Sequence, residues 1–318
     1  MTAGVRKTEL GNTGMEITRV GFGAWAIGGG DWEFGWGPQD DEQSVAAIHR
    51  AIELGVNWID TAAGYGFGRS ETVVGRVLSE LPGSRRPYVF TKAGILPGQG
   101  GKVVRSLERD SVLREAHASL ERLGVDAIDL YQIHRPIPDG QIEEAWAAFA
   151  ELKEQGLVRH IGVSNFDVAQ LRRVGQIAPV ETLQPQYSLI DREVEAELLP
   201  FTSEQGIGVI VYSPMASGLL SGRMTRERIE AFPDSDWRKR SPRFQEPQLT
   251  ANLALVERLR AVADRHGTTP GAVAIAWTLR NPAVDAAIAG FRSPDQVDPI
   301  LAAADLELTA GELEETGS

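Results

Sequence analysis

The chain has no cysteine among its 318 residues, which excludes disulfide frameworks, thiolate metal centres and a cysteine nucleophile. Long apolar runs are also missing, since no stretch reaches the roughly 18 residues that cross a bilayer. The opening from Met1 to Glu9 is polar and carries no apolar stretch ahead of a cleavage site. No secretory signal is therefore expected, and the cytoplasm is the default location. Positive charge is in deficit: 32 Lys and Arg against 44 Asp and Glu leave a formal net charge of −12. That balance argues against a broad nucleic-acid-binding surface, yet a few local arginines could still hold a phosphate. Histidine is scarce too. His49, His117, His134, His160 and His266 form no H-x-H or H-E-x-x-H arrangement, so no metal site is expected. Ser164, between Val163 and Asn165, does not stand in a G-x-S-x-G elbow.

What is present is an ordinary globular balance, with 42% hydrophobic and 24% charged residues. Short apolar runs rich in β-formers recur at Val20 to Ala24, Val56 to Asp60, Tyr88 to Thr91, Ile128 to Ile133, His160 to Val163, Glu181 to Gln184, Val209 to Tyr212 and Ala286 to Ala289. Stretches of helical periodicity separate most of them, clearest at Ser44 to Leu54, Val112 to Leu123 and Ile142 to Leu152. Thr269-Pro270 reads as a helix start, and Asp167 and Asp191 as N-caps. This alternation fits either an open doubly wound sheet or a closed (β/α)8 barrel. Eight units without a composition shift favour the TIM barrel, which takes about 250 residues plus insertions. No linker divides the chain, so residues 1–318 are expected to form one domain. Leu10 to Val20, turning at Gly11-Asn12-Thr13-Gly14, suggests an N-terminal β-hairpin closing the barrel floor. Pro214 to Pro247 is the main irregular insertion.

In a barrel of this kind the active site lies at the carboxyl ends of the strands. Those ends carry Asp60, Lys92, His134, Ser164-Asn165, Gln186, Tyr212-Ser213 and Gly290-Phe291-Arg292, with Tyr65 in a glycine-rich loop just past Asp60. Each has an ordinary structural explanation: Asp60 as a cap, Lys92 as a solvated strand end, His134 as a satisfied core histidine, Tyr65 as a packing aromatic. Together they make a proton-transfer device. Reducing a carbonyl needs a hydride at carbon and a proton at oxygen. Tyrosine, with an ordinary pKa of about 10, becomes a better acid beside an ammonium such as Lys92. Asp60 would keep that lysine charged and fixed, and His134 would orient the carbonyl oxygen.

These residues resemble the aldo-keto reductase family. The likeness runs through Asn57-Trp58-Ile59-Asp60-Thr61-Ala62, Tyr65-Gly66, Ser70-Glu71, Gly75 and Thr91-Lys92. It continues through Asp129-Leu130-Tyr131-Gln132-Ile133-His134, Ile161-Gly162-Val163-Ser164-Asn165-Phe166 and Gln184-Pro185-Gln186-Tyr187-Ser188. Tyr212-Ser213-Pro214 and Gly290-Phe291-Arg292-Ser293 complete it. Within the family the chain resembles the bacterial soluble reductases of the inositol-cluster and general-stress type. The resemblance implies an enzyme that reduces an aldehyde or ketone with NADP(H), with Asp60, Tyr65, Lys92 and His134 as its tetrad and Tyr65 as proton donor. It further implies that Ser164, Asn165 and Gln186 hold the nicotinamide carboxamide and that Tyr212 stacks on the ring. Ser213, Pro214, Gly218 and Gly222 would follow the pyrophosphate and Gly290 the same cleft, while Arg292 would take the adenosine 2′-phosphate and Gln296 the adenine. Ser293-Pro294-Asp295-Gln296 also reads as a capping box, which would turn Gln296 to the helix instead. Ile300 stands where the family often carries Asn.

Gly21-Phe22-Gly23-Ala24-Trp25-Ala26 matches a dinucleotide fingerprint formally, but glycines and a Trp-rich loop follow it instead of a helix. Trp25, Trp32 and Trp237 are expected to wall the substrate site. The partner is a small carbonyl compound, with neither nucleic acid nor membrane expected, and the oligomeric state is not legible. Two other readings stay open: a sugar or polyol dehydrogenase working oxidatively, and a slow-turnover, cofactor-binding regulatory protein.

Overall fold

Runs of branched and aromatic residues that are apolar on both faces fold as parallel strands, because only a sheet covered on both sides buries them fully. The computed structural model describes residues 5–317 and closes eight such runs into a barrel. The barrel strands are β1 (Val20–Gly23), β2 (Trp58–Asp60), β3 (Tyr88–Ala93), β4 (Ile128–Ile133), β5 (Val158–Ser164), β6 (Thr182–Gln184), β7 (Gly208–Val211) and β8 (Ala286–Gly290). Each pairs in parallel with its neighbours in chain order, and β8 closes on β1 through Ile288↔Gly21. All eight strands expected from the sequence are found, and the TIM barrel is the fold.

Helices occupy the connections. Asp40 caps the helix Asp41–Glu53 by accepting from the backbone N–H groups of Glu42 and Gln43. Apolar periodicity alone starts that helix at Ser44, because its first turn is polar and held by the cap. Asp167 forms a full capping box with Gln170 ahead of Val168–Val174. Thr269 caps Pro270–Leu279 as expected. Asp191 does not cap a helix. The short turn Glu193–Glu195 begins after Arg192, and the Asp191 carboxylate instead accepts from Gln186, Ser188 and Arg243.

The N-terminal hairpin pairs Lys7–Glu9 with Glu16–Thr18. Its Leu10, Met15 and Ile17 pack with Trp58, Phe90, Leu130, Ile210 and Ile288 inside the barrel, which closes the floor. Gly21 makes room for this plug, since a Cβ there would lie 2.1 Å from the Trp58 ring. The Pro214 to Pro247 insertion is ordered by a cluster of its own. Leu219, Leu220, Ile229, Phe232 and Phe244 pack against Leu249, Val256 and Leu259 of the helix Gln248–His266. That packing fixes the loop at the open end of the barrel.

Candidate active site

The three strand-end groups Asp60, Lys92 and His134 and the loop residue Tyr65, all singled out from the sequence, meet at the barrel mouth. Asp60 ends β2 and Lys92 lies near the end of β3, one strand over. Lys92 Nζ donates to Asp60 Oδ1 at 2.5 Å, to the Thr61 carbonyl at 2.9 Å and to Tyr65 Oη at 3.4 Å. All three ammonium protons are thus used, which a fully buried lysine requires. Its side chain has 0% exposure and that of Asp60 2%. Burial lowers the Lys92 pKa, and the Asp60 carboxylate opposes that shift. Tyr65 is set by a tight turn whose next residue, Gly66, has φ +62 and lies so close to Gly28 that a Cβ would meet its carbonyl oxygen at 2.1 Å.

The electrostatics at Tyr65 run opposite to the sequence expectation. Burial pushes its hydroxyl well above the ordinary tyrosine value, and the Asp60 charge adds to the rise while Arg135 opposes it. The lysine charge is balanced by Asp60, and the opposing pull of Arg135 is smaller than the effect of burial. The phenol is therefore protonated at neutral pH. His134, just past β4, is held well below the usual imidazole range by burial first, then by Lys92, Arg135 and Arg105. It is neutral. Its ring stands edge-on to Tyr65 at 5.5 Å between centroids, and its Nδ1 is buried without a hydrogen-bond partner among the described residues.

A second network lies beside this one. Asn165 donates to the His134 carbonyl at 3.0 Å and accepts from the Tyr212 hydroxyl at 2.7 Å. Ser164 Oγ donates to the Gln184 carbonyl at 2.8 Å. Gln186 donates to Asp191 at 2.9 Å and accepts from Tyr212 at 3.3 Å. Beyond Tyr212 the backbone turns left-handed repeatedly, at Ser213, Ala216, Ser217, Gly218 and Gly222. Three of those are not glycine, a strained pattern that collects at ligand-binding segments. Gly218 lines the cavity, whereas Gly222 turns away from it and faces Pro270, where a Cβ would come within 2.6 Å.

Arg292 follows β8 and spends its guanidinium on neutral acceptors: Gln39 Oε1 at 2.7 Å and the carbonyls of Trp36 and Pro38. Gln296 lines the same cavity, but its Oε1 accepts from the Arg292 backbone N–H at 2.9 Å. The capping box does not form, because Ser293 Oγ donates to Asp295 and makes no cap bond. Trp25 stacks on Trp237 at 5.4 Å, and Trp25 and Trp32 each lie 6.3 Å from the Tyr65 ring. These aromatics, Gly290 and Pro214 line one cavity of about 520 Å³, within the usual range for small-molecule sites.

Among the lining residues that escaped the sequence reading, three bear on the chemistry. Gln184 donates to Asp60 Oδ2 at 2.8 Å, and its signal was a polar residue ending a buried strand. Arg105 and Arg135 also line the cavity, and Arg135 adjoins His134 in sequence. The residues fit a nicotinamide dinucleotide: a left-handed backbone run of small residues leads from Tyr212 toward an arginine without a carboxylate partner among the described residues.

Comparison with known proteins identifies the family. The family model "Aldo/keto reductase family" matches residues 19–317. An aldo-keto reductase of Bacillus subtilis, YhdN, is 37% identical over 92% of this chain and 87% of its own length. An NADH-specific methylglyoxal reductase of Escherichia coli is 35% identical over 96% of this chain and 95% of its own. Among solved structures, a glycerol dehydrogenase from Gluconobacter oxydans superposes with a TM-score of 0.87 at 35% identity, covering 98% of this chain and 93% of that one.

Proposed function

The chain belongs to the aldo/keto reductase family, and we propose that it reduces a small aldehyde or ketone to the alcohol with NADPH as cofactor and Tyr65 as proton donor. The observation that carries this reading is Lys92 bridging Asp60 and Tyr65 in the cavity wall beside a neutral His134. When bound, the reduced nicotinamide supplies a hydride to the carbonyl carbon. The rest falls to the protein. His134, uncharged, hydrogen-bonds the carbonyl oxygen and aims it at Tyr65. Tyr65 Oη holds its proton until negative charge builds on that oxygen, then releases it, as a general acid of raised pKa does. Lys92 Nζ, 3.4 Å away, stabilises the phenolate left behind and so favours the transition state over the ground state. Asp60 and Gln184 position the lysine and do not touch the reacting atoms.

Ser164, Asn165 and Gln186 suit the carboxamide, Tyr212 the ring, Ser213, Pro214 and Gly218 the pyrophosphate, with Gly290 in the same cleft wall. Gly222 serves the turn that carries that segment. Arg292 supports NADPH over NADH, because its planar fork could exchange neutral carbonyls for a 2′-phosphate. Gln296 adjoins the adenine end. The relative named as NADH-specific makes this preference the part of the reading to test first. Assays with NADPH and with NADH against an aldehyde panel, and with alcohols plus NADP⁺, decide it. Turnover that favours NADPH and aldehydes supports the reading. Turnover confined to alcohols supports an oxidative role like that named for the Gluconobacter enzyme. Tight cofactor binding with no turnover in either direction supports a regulatory role.

A further inference from the structure

Several arginines line the cavity, and their partners differ. Arg238 is bound to Asp236 at 2.6 Å and Arg243 to Asp191. Arg105 and Arg135 have no such neutraliser, for neither forms an ion pair among the described residues. Arg105 Nε is buried with no hydrogen-bond partner among the described residues. Arg135 lies beside the Tyr212 hydroxyl, a neutral group. In a chain with 44 acidic side chains, both guanidiniums line the cavity without a charge partner; Arg105 is half-buried, where an unpaired charge is costly to keep, and Arg135 is exposed at the cavity edge.

Their place in the fold says what they face. Arg105 follows the small hairpin Leu96–Pro97/Val103–Val104 after β3, and Arg135 follows His134 after β4. β3 and β4 are paired neighbours. In the closed eight-strand order they lie across the barrel from β7 and β8, which carry the Ser213 to Gly222 segment and Arg292. Arg105 therefore stands on the wall away from the segments suited to cofactor phosphates, while Arg135 reaches across to Tyr212, so that both flank the reacting end of the cavity. Both are near enough for their charge to act on His134.

We propose that Arg105 and Arg135 form an anion clamp for the substrate, so that the preferred carbonyl compound carries an oxyanion, carboxylate or phosphate, at the end remote from its C=O. This inference rests on the reductase reading above. The guanidinium fork matches either group with paired, charge-assisted hydrogen bonds. Trp25, Trp32 and Trp237, which line the same cavity, would cover the apolar body between the anion and the carbonyl.

The test is the ratio of kcat/KM for an anionic aldehyde to that for its neutral counterpart: 4-oxobutanoate against 4-oxobutanamide, and glyceraldehyde 3-phosphate against glyceraldehyde. Wild type is expected to favour an anionic member, and Arg105→Gln and Arg135→Gln each to reduce that ratio about ten- to hundredfold, with Arg105→Lys recovering part. A preference confined to one pair identifies the carboxylate or the phosphate as the group held. A merely structural arginine lowers both members alike and leaves the ratio unchanged. Turnover of all four compounds with no preference in wild type, or an unchanged ratio in both Gln variants, overturns the clamp and leaves the reductase reading intact. If none is turned over, the reductase reading fails and binding decides the clamp. Succinate that quenches tryptophan fluorescence in wild type and binds about tenfold more weakly to Arg105→Gln supports it. No succinate binding, or equal binding to both proteins, overturns it.

Discussion

Gln184 donates from Nε2 to Asp60 Oδ2 at 2.8 Å across 124 positions of the chain, while Lys92 takes the other oxygen of the same carboxylate. Asp60, 2% exposed, is thus satisfied on both oxygens. Removing one partner leaves a buried charge alone. Asp60→Asn and Lys92→Met should each cost roughly 3–5 kcal/mol in urea unfolding. The double variant should cost clearly less than the two singles added, because neither charge is stranded. Losses that simply add would show that the two groups do not act as a pair. Carbonyl reduction should remain lost in all three.

Glu115 offers a pH test away from the chemistry. Its carboxyl is buried, accepts from the Gly94 N–H at 3.0 Å and from Ser111, and is pushed up to about 7, chiefly by burial. A folded pKa above the unfolded one means that the folded state binds the proton more tightly. The stability this contributes is fully present below about pH 4.5 and is lost as pH rises through about 7. Wild type minus Glu115→Gln should therefore lose on the order of 3 kcal/mol between pH 4.5 and 8. Unfolding midpoints for the two proteins across that range check it, and parallel curves would contradict it.

Arg292 should decide cofactor choice. Arg292→Ala is expected to weaken NADPH binding about ten- to hundredfold while changing NADH by much less. Fluorescence titration with both cofactors reads this directly. Equal affinities in wild type, unaltered by the substitution, would contradict the assignment.

Trp237 stacks on Trp25, which in turn lies beside Tyr65. Trp237→Ala and Trp32→Ala should raise KM about tenfold or more for aldehydes with an aromatic or ring body, consistent with the 1–3 kcal/mol typical of a lost stacking contact. An unchanged KM in both would place the substrate wall elsewhere.

The barrel was legible because its strands are nearly continuous apolar runs that end in polar groups, as at Ile59-Asp60 and Ile133-His134. The clustering of Asp60, Tyr65, Lys92 and His134 followed from placing those ends on one face. What the sequence hid were relationships between distant segments. Gln184 reads as one more strand residue until its side chain is seen against Asp60. Arg105 sits beyond a hairpin too short to give a period-2 signal. Asp191 looked like a cap because Asp before an acidic helical stretch usually is one, yet Gln186 and Arg243 claim its carboxylate. The direction of the Tyr65 shift was also hidden, since it depends on how fully Asp60 cancels the Lys92 charge and how completely the phenol is buried. Neither can be read from residue type.

The central claim is that Tyr65 delivers the proton. Tyr65→Phe keeps the ring, its place against Trp25 and the space beside His134, and removes only the hydroxyl. NADPH consumption with an aldehyde substrate should fall by roughly 10²- to 10⁴-fold in kcat, with NADPH affinity within about twofold of wild type. A variant that binds NADPH normally and retains wild-type kcat would contradict the account.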